Sequence, residues 1–139
     1  MTWPRGAGSE RPGMTAMAFV AVGIGAAFGA WARWMLSTWF NPVVPALPMG
    51  TLASNLVGGY LVGVAVAYFA ANASIAPEWR LFCITGFLGG LTTFSTFSAE
   101  SVQLLMGAQY APAFLHTAAH LFGSLVATFL GFISYRALA

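Results

Sequence analysis

The chain of 139 residues contains no lysine and no aspartate, and its five arginines and three glutamates leave it only 6% charged. A soluble domain carries roughly a quarter charged residues. With 59% hydrophobic residues and a mean hydropathy of +0.80, this chain cannot cover a water-facing surface with polar groups. Its solvent is therefore the lipid bilayer. No basic run exists that could track a phosphate backbone, which excludes nucleic acid as a partner. The single cysteine, Cys83, cannot close an internal disulfide and has no metal-ligand spacing around it, so it reads as packing in an apolar segment. Neither a G-x-S-x-G serine nor an H-E-x-x-H pair is present, which leaves a membrane-embedded enzyme without an obvious nucleophile or metal centre. The length suits one domain.

What the chain does have is long uncharged runs. Residues 12–32 and 34–77 carry no charge, and "NPVVPALP" at 41–48 interrupts the second run with three prolines. A spanning helix needs about 20 apolar residues. The expected helices are 15–39, 49–71, about Trp79 to Met106, and 111–136, an all-α membrane protein with four transmembrane helices in a compact antiparallel bundle. Residues 1–14, with Arg5, Glu10 and Arg11, read as a disordered leader before a four-helix transmembrane domain at 15–139. A signal peptide cut near Ala30-Trp31-Ala32 is the rival reading. It is opposed by the length of the apolar segment and by Trp34, Trp39 and Phe40, placed as an interfacial belt. Arg5, Arg11, Arg80 and Arg136 fall on one side and Arg33 towards the other; without the leader the bias is weak enough to permit insertion in both orientations. Gly25 with Gly29 and Gly59 with Gly63 are G-x-x-x-G pairs suited to close helix packing in lipid.

The third helix holds the anomaly. From Gly89 to Ser98, seven of ten residues are glycine, serine or threonine. Its midpoint is Thr93, and at 1.5 Å per residue the helix spans about 40 Å, which puts the cluster at mid-membrane. Gly89 and Gly90 are poor helix formers, while Thr92, Thr93, Ser95, Thr96 and Ser98 compete for backbone hydrogen bonds. The expectation is a helix broken over 89–93 that resumes near Ser95. Unwound backbone at that depth is tolerated only inside protein or along a wet cavity. Phe94 and Phe97, three apart, would share a face of the resumed helix, and their electropositive ring edges can attract an anion without a fixed charge.

Other polar groups recur at membrane depth. Asn55 is either a helix-to-helix hydrogen bond or a donor to a passing anion. Arg33 either snorkels or concentrates anions at a vestibule. Glu100 either snorkels or pairs with Arg33. His116, His120, Ser124 and Thr128 recur every four residues as a stripe on the last helix. The histidines lack an evident third ligand, so the stripe reads as lining or packing rather than as a metal site.

"GIGAAFGAWARW" (23–34), "GTLASNLVGGYLVG" (50–63) and "GFLGGLTTFSTFSAE" (86–100), in that order and at this chain length, resemble the bacterial fluoride channels of the Fluc (CrcB) family. The resemblance implies a passive fluoride channel of the cell inner membrane that exports toxic cytoplasmic fluoride. It further implies an antiparallel, dual-topology homodimer with two pores and one central structural sodium ion (Na+). Carried over by motif, the backbone carbonyls of Gly89 and Thr92 would hold the sodium, and Phe94 and Phe97 would meet fluoride edge-on. Asn55 would be the pore asparagine and Arg33 the vestibule arginine, with Thr93, Ser95, Thr96 and Ser98 as a polar track and Ser124 as a pore serine. His120 departs from the pattern, since a small hydroxyl residue is expected there in some members. The competing transport reading is a small four-helix multidrug exporter. Such proteins use a membrane glutamate in the first helix, where this chain has no acidic residue.

Overall fold

The computed structural model describes residues 15–43 and 47–139; the expected leader at 1–14 and the middle of the proline loop, 44–46, lie outside the described residues. The first helix, Ala16–Phe40, starts where the Thr15 hydroxyl accepts from the Ala18 N–H at 3.1 Å. A 3-10 turn, Asn41–Val43, follows. The second helix, Met49–Ala71, begins after Pro48, which offers no side-chain cap. Asn41 supplies the missing acceptor, its Oδ1 taking the Gly50 N–H at 2.8 Å. The third span, Pro77–Met106, starts with proline at its first position, and the last helix is Tyr110–Leu138. Among the described residues these are four helical segments long and apolar enough to cross a membrane, and their ends fall within two residues of expectation.

The bundle is two close helix pairs. Gly25 and Gly29 of the first helix sit against backbone of the third span at Phe82 and Phe87, and Gly90 returns the contact at Ala26. Gly63 of the second helix meets the Thr128 carbonyl of the last, and Gly131 answers at Tyr60. A methyl group at Gly29, Gly63 or Gly131 would overlap a carbonyl oxygen, so these backbones approach as only glycine allows. The polarity of the molecule is inverted relative to a soluble bundle. Thr51 and Ser54 are wholly buried, and His116 and His120 nearly so, while Phe19, Phe28, Trp31, Phe114, Phe122 and Phe129 face outward. Such a surface requires an apolar solvent.

The break in the third span is present and shorter than expected. Winding is helical over Pro77–Arg80, π-type over Leu81–Leu88 and helical again over Gly89–Leu91. Only Thr92 (φ −81°, ψ 155°) and Thr93 (φ −150°, ψ 120°) are extended, and the helix resumes at Phe94, next to the expected Ser95. Gly89 and Gly90 thus remain helical. Gly90 is small because a Cβ there would press on the Ala26 carbonyl, a packing reason and not an unwinding one. The π turn carried no signal in the sequence.

Candidate functional site

Two extended residues inside a spanning helix leave backbone groups without their helical partners. Asn55 answers this from the second helix. Its Oδ1 accepts from the Thr93 N–H at 2.8 Å, and its Nδ2 donates to the Thr93 carbonyl at 3.0 Å. The side-chain amide thus pairs with Thr93 as a neighbouring β-strand would. The Thr93 hydroxyl then caps the resumed helix, accepting from the Thr96 N–H at 3.1 Å. It also donates to the Thr96 hydroxyl at 3.0 Å and lies 3.3 Å from that of Ser95. Before the break, the Thr92 N–H and hydroxyl both bond the Leu88 carbonyl, at 3.0 and 2.9 Å. Because the Thr93 N–H is turned to Asn55, the Gly89 carbonyl loses its usual donor four residues on.

Arg33 is held at the break itself. Its Nε donates to the Gly90 carbonyl at 3.0 Å, so the guanidinium covers the C-terminal end of the half-helix, where carbonyls are exposed and the dipole is negative. It is not paired with Glu100. That carboxylate accepts from the Thr51 hydroxyl at 2.6 Å through Oε1 and lies 3.3 Å from His116 Nε2 through Oε2.

A groove of about 600 Å³ runs beside the break, with Asn55, Thr93, Phe94, Phe97, His120 and Ser124 among its walls. Phe94 and Phe97 meet edge to face, centroids 5.4 Å apart at 65°. Phe94 is 79% exposed. Phe97 stacks on both histidines, at 4.8 Å from His120 and 5.6 Å from His116. The structure therefore brings together Asn55, Thr93, Phe94, Phe97 and Ser124, with Ser95 and Thr96 joined through the Thr93 hydroxyl. Ser98 is bonded back to the Phe94 carbonyl at 2.8 Å and is outside the groove wall.

The sequence reading missed a buried chain of hydrogen bonds behind Phe97. Glu100 supplies the third group that the histidines were thought to lack. Ser101 contacts His116 Nδ1 at 3.0 Å, and the Thr117 hydroxyl donates to Ser101 at 3.3 Å. A usable signal was present: Thr51 precedes Asn55 by four residues, so both lie on one helix face, and His116 precedes His120 by four.

Comparison with known proteins identifies the family. Residues 20–132 match the family described as CrcB-like protein, Camphor Resistance (CrcB). A protein of Cupriavidus metallidurans named "Fluoride-specific ion channel FluC" is 63% identical over 126 residues, covering 91% of this chain and 100% of that protein. Proteins of the same name from Ralstonia nicotianae (58% identical; 90% of this chain, 99% of that one) and Nitrosospira multiformis (58%; 88% and 95%) are also similar. With the family match spanning all four helices and relatives aligned over almost their whole length, this chain belongs to the CrcB-like family of multi-pass membrane proteins.

Proposed function

We propose that the chain forms a passive fluoride-selective channel in the cell inner membrane, through which toxic cytoplasmic fluoride leaves. The observation that carries the reading is the meeting of Asn55, Thr93, Phe94 and Phe97 in one groove of a chain whose similar proteins are named fluoride channels. Fluoride holds its water tightly, so a path must replace that shell with many donors and no single strong trap. Hydroxyls and positive ring edges do this without a fixed charge. Arg33 spends its Nε on Gly90, and its remaining N–H groups would keep positive charge near the mouth to concentrate anions. Purified protein in liposomes is expected to release fluoride, read by electrode, at a rate far above chloride and without a proton or sodium gradient. Obligatory coupling to protons would make it an exchanger instead.

The same reading makes the functional unit an antiparallel homodimer. The groove places Asn55, Thr93, His120 and Ser124 at membrane depth, polar groups that acyl chains cover poorly. A second, inverted copy would cover it and complete two pores. The Gly89 and Thr92 carbonyls from both copies would hold a sodium ion at the centre. They fit a hard cation: the Gly89 carbonyl has lost its helical donor, and Gly89 is exposed with no atom closer than 3.7 Å to a Cβ built there. Bound sodium would supply the positive charge that lets carbonyls of two chains converge. Native mass spectrometry is expected to show a dimer in sodium salts that weakens when a bulky organic cation replaces sodium. A sodium-indifferent monomer would remove both parts.

A further inference from the structure

Beside Phe97, three buried polar atoms converge that make no hydrogen bond among the described residues: Glu100 Oε2, His116 Nε2 and His120 Nε2. The three groups offer ligand atoms within 4.8 Å of one another. His116 is 2% exposed and His120 3%. A buried polar atom left unpaired is costly, so three that face one point call for a shared partner.

The opposite atom of each group tells which partner. Glu100 Oε1 accepts from the Thr51 hydroxyl at 2.6 Å, which fixes the carboxylate and leaves Oε2 with bare lone pairs. His116 Nδ1 lies 3.0 Å from Ser101 Oγ, which also accepts from the Thr117 hydroxyl at 3.3 Å. A serine oxygen has two lone pairs, so it can take the His116 Nδ1 proton as well. A metal-binding histidine is held in this way, with Nδ1–H donating to an oxygen behind the ring and Nε2 bare. His116 Nε2 and Glu100 Oε2 stand 3.3 Å apart without a hydrogen bond. A tetrahedral ion with bonds of about 2.0–2.1 Å sets two ligands about 3.3–3.4 Å apart. The pair thus has the separation of a chelate edge. His120 is placed differently. Asn55 gives its Oδ1 to the Thr93 N–H and directs Nδ2 at His120 Nδ1, 3.0 Å away. His120 Nδ1 therefore accepts, and Nε2 carries the proton. That N–H is a donor to whatever small acceptor completes the shell of the ion, not a ligand.

We propose that His116 Nε2 and Glu100 Oε2 chelate a transition-metal dication of the zinc type, with His120 Nε2–H as an outer donor, and that the bound ion arrests conduction. Imidazole beside a carboxylate suits zinc, nickel or copper rather than magnesium. The site lies near one end of the bundle. Glu100 stands six residues before Met106 and His116 six after Tyr110, each about 9 Å of helix from that end. The described arginines lie elsewhere: Arg33 is held at Gly90, Arg80 is near the start of the third span and Arg136 near the end of the last helix. A cation entering beside Glu100 meets none of them at the mouth. The His116 ring is stacked on Phe97 at 5.6 Å. A fixed dication there would hold an anion too tightly to let it leave. The arrest rests on the fluoride reading above; the metal binding does not.

The test titrates untagged full-length protein in lipid nanodiscs with cobalt(II), and measures fluoride efflux from liposomes of the same preparation in zinc chloride or magnesium chloride. A tetrahedral cobalt band that zinc displaces is expected. Efflux should stop in zinc, return with a chelator and ignore magnesium. Each variant is compared with its own zinc-free efflux. His116→Ala should lose both the band and the block. Ser101→Ala keeps both ligands but removes the oxygen behind His116, and should raise the zinc needed for block about 10–100-fold. A block unchanged in both variants would place the metal elsewhere and overturn the site. Absence of a cobalt band, with efflux indifferent to zinc, overturns it too and spares the channel. A band without a block would overturn the arrest. Cobalt bound by a preparation that conducts no fluoride would keep the metal site and sink the fluoride reading with the arrest.

Discussion

Replacing Phe97 or Phe94 by isoleucine is expected to lower fluoride efflux by about two- to tenfold each while leaving the melting temperature of the protein nearly unchanged, because an aromatic edge contributes about 0.5–1.5 kcal/mol beyond the area it buries. The two halves of that expectation come from different features of the site. Phe97 has its face against His116 and His120, at interplanar angles of 23° and 25°. One negative face of the ring is therefore covered by imidazole, which leaves the positive rim as the part of the ring that can attract an anion. Phe94 lies nearly perpendicular to it and is largely exposed on this chain. Isoleucine keeps an apolar body of comparable bulk, so little packing is lost at the exposed position. It has no quadrupole, so an anion that has shed water finds nothing to replace it. Efflux by fluoride electrode and thermal unfolding in detergent separate the outcomes. Unchanged efflux in both variants would remove the rings from the path. Lost efflux together with a large drop in melting temperature would make them ordinary packing residues.

How much of this was legible beforehand depends on the physical origin of each feature. The four helices were readable because lipid solvation forces long uncharged runs, and the structure places their ends within two residues of expectation. The existence of a break was readable too, since glycine and hydroxyl residues crowd one stretch. Its extent was not. Helix propensity pointed to Gly89 and Gly90, but their smallness serves contact with the first helix, and the extended pair is Thr92 and Thr93. That outcome depends on Asn55, 38 residues away, and a pairing between helices leaves no local trace. Arg33 and Glu100 show the same limit. They were considered as partners for each other by charge, yet one caps a broken helix at Gly90 and the other sits among Thr51 and the histidines. The histidine spacing on the last helix was visible, but the contacts of the two rings with Asn55, Ser101 and Glu100 come from other helices and were not.

Asn55 is accordingly the residue whose loss should do the most damage. It meets both backbone groups of Thr93 and also occupies His120 Nδ1. Asn55→Leu keeps the side-chain size and removes all three contacts. An unsatisfied buried donor or acceptor costs about 1–3 kcal/mol, so leaving Thr93 N–H and C=O bare costs up to about 2–6 kcal/mol. The cheapest relief is for the third span to rewind, with the Thr93 N–H returning to the Gly89 carbonyl. Rewinding would turn Phe94 and Phe97 away from their present positions and occupy the carbonyl assigned to sodium, so conduction and dimer stability should fall together. Asn55→Asp discriminates the mechanism. A carboxylate can still accept from the Thr93 N–H but cannot donate to the Thr93 carbonyl or to His120. The break should then persist, with weakened efflux and an intermediate melting temperature. Amide hydrogen exchange at Thr93 reports on the latch in Asn55→Asp, where the N–H keeps its acceptor and protection should stay near native. If Asn55→Leu conducts fluoride and melts like the unaltered protein, the broken helix is held by something other than this amide.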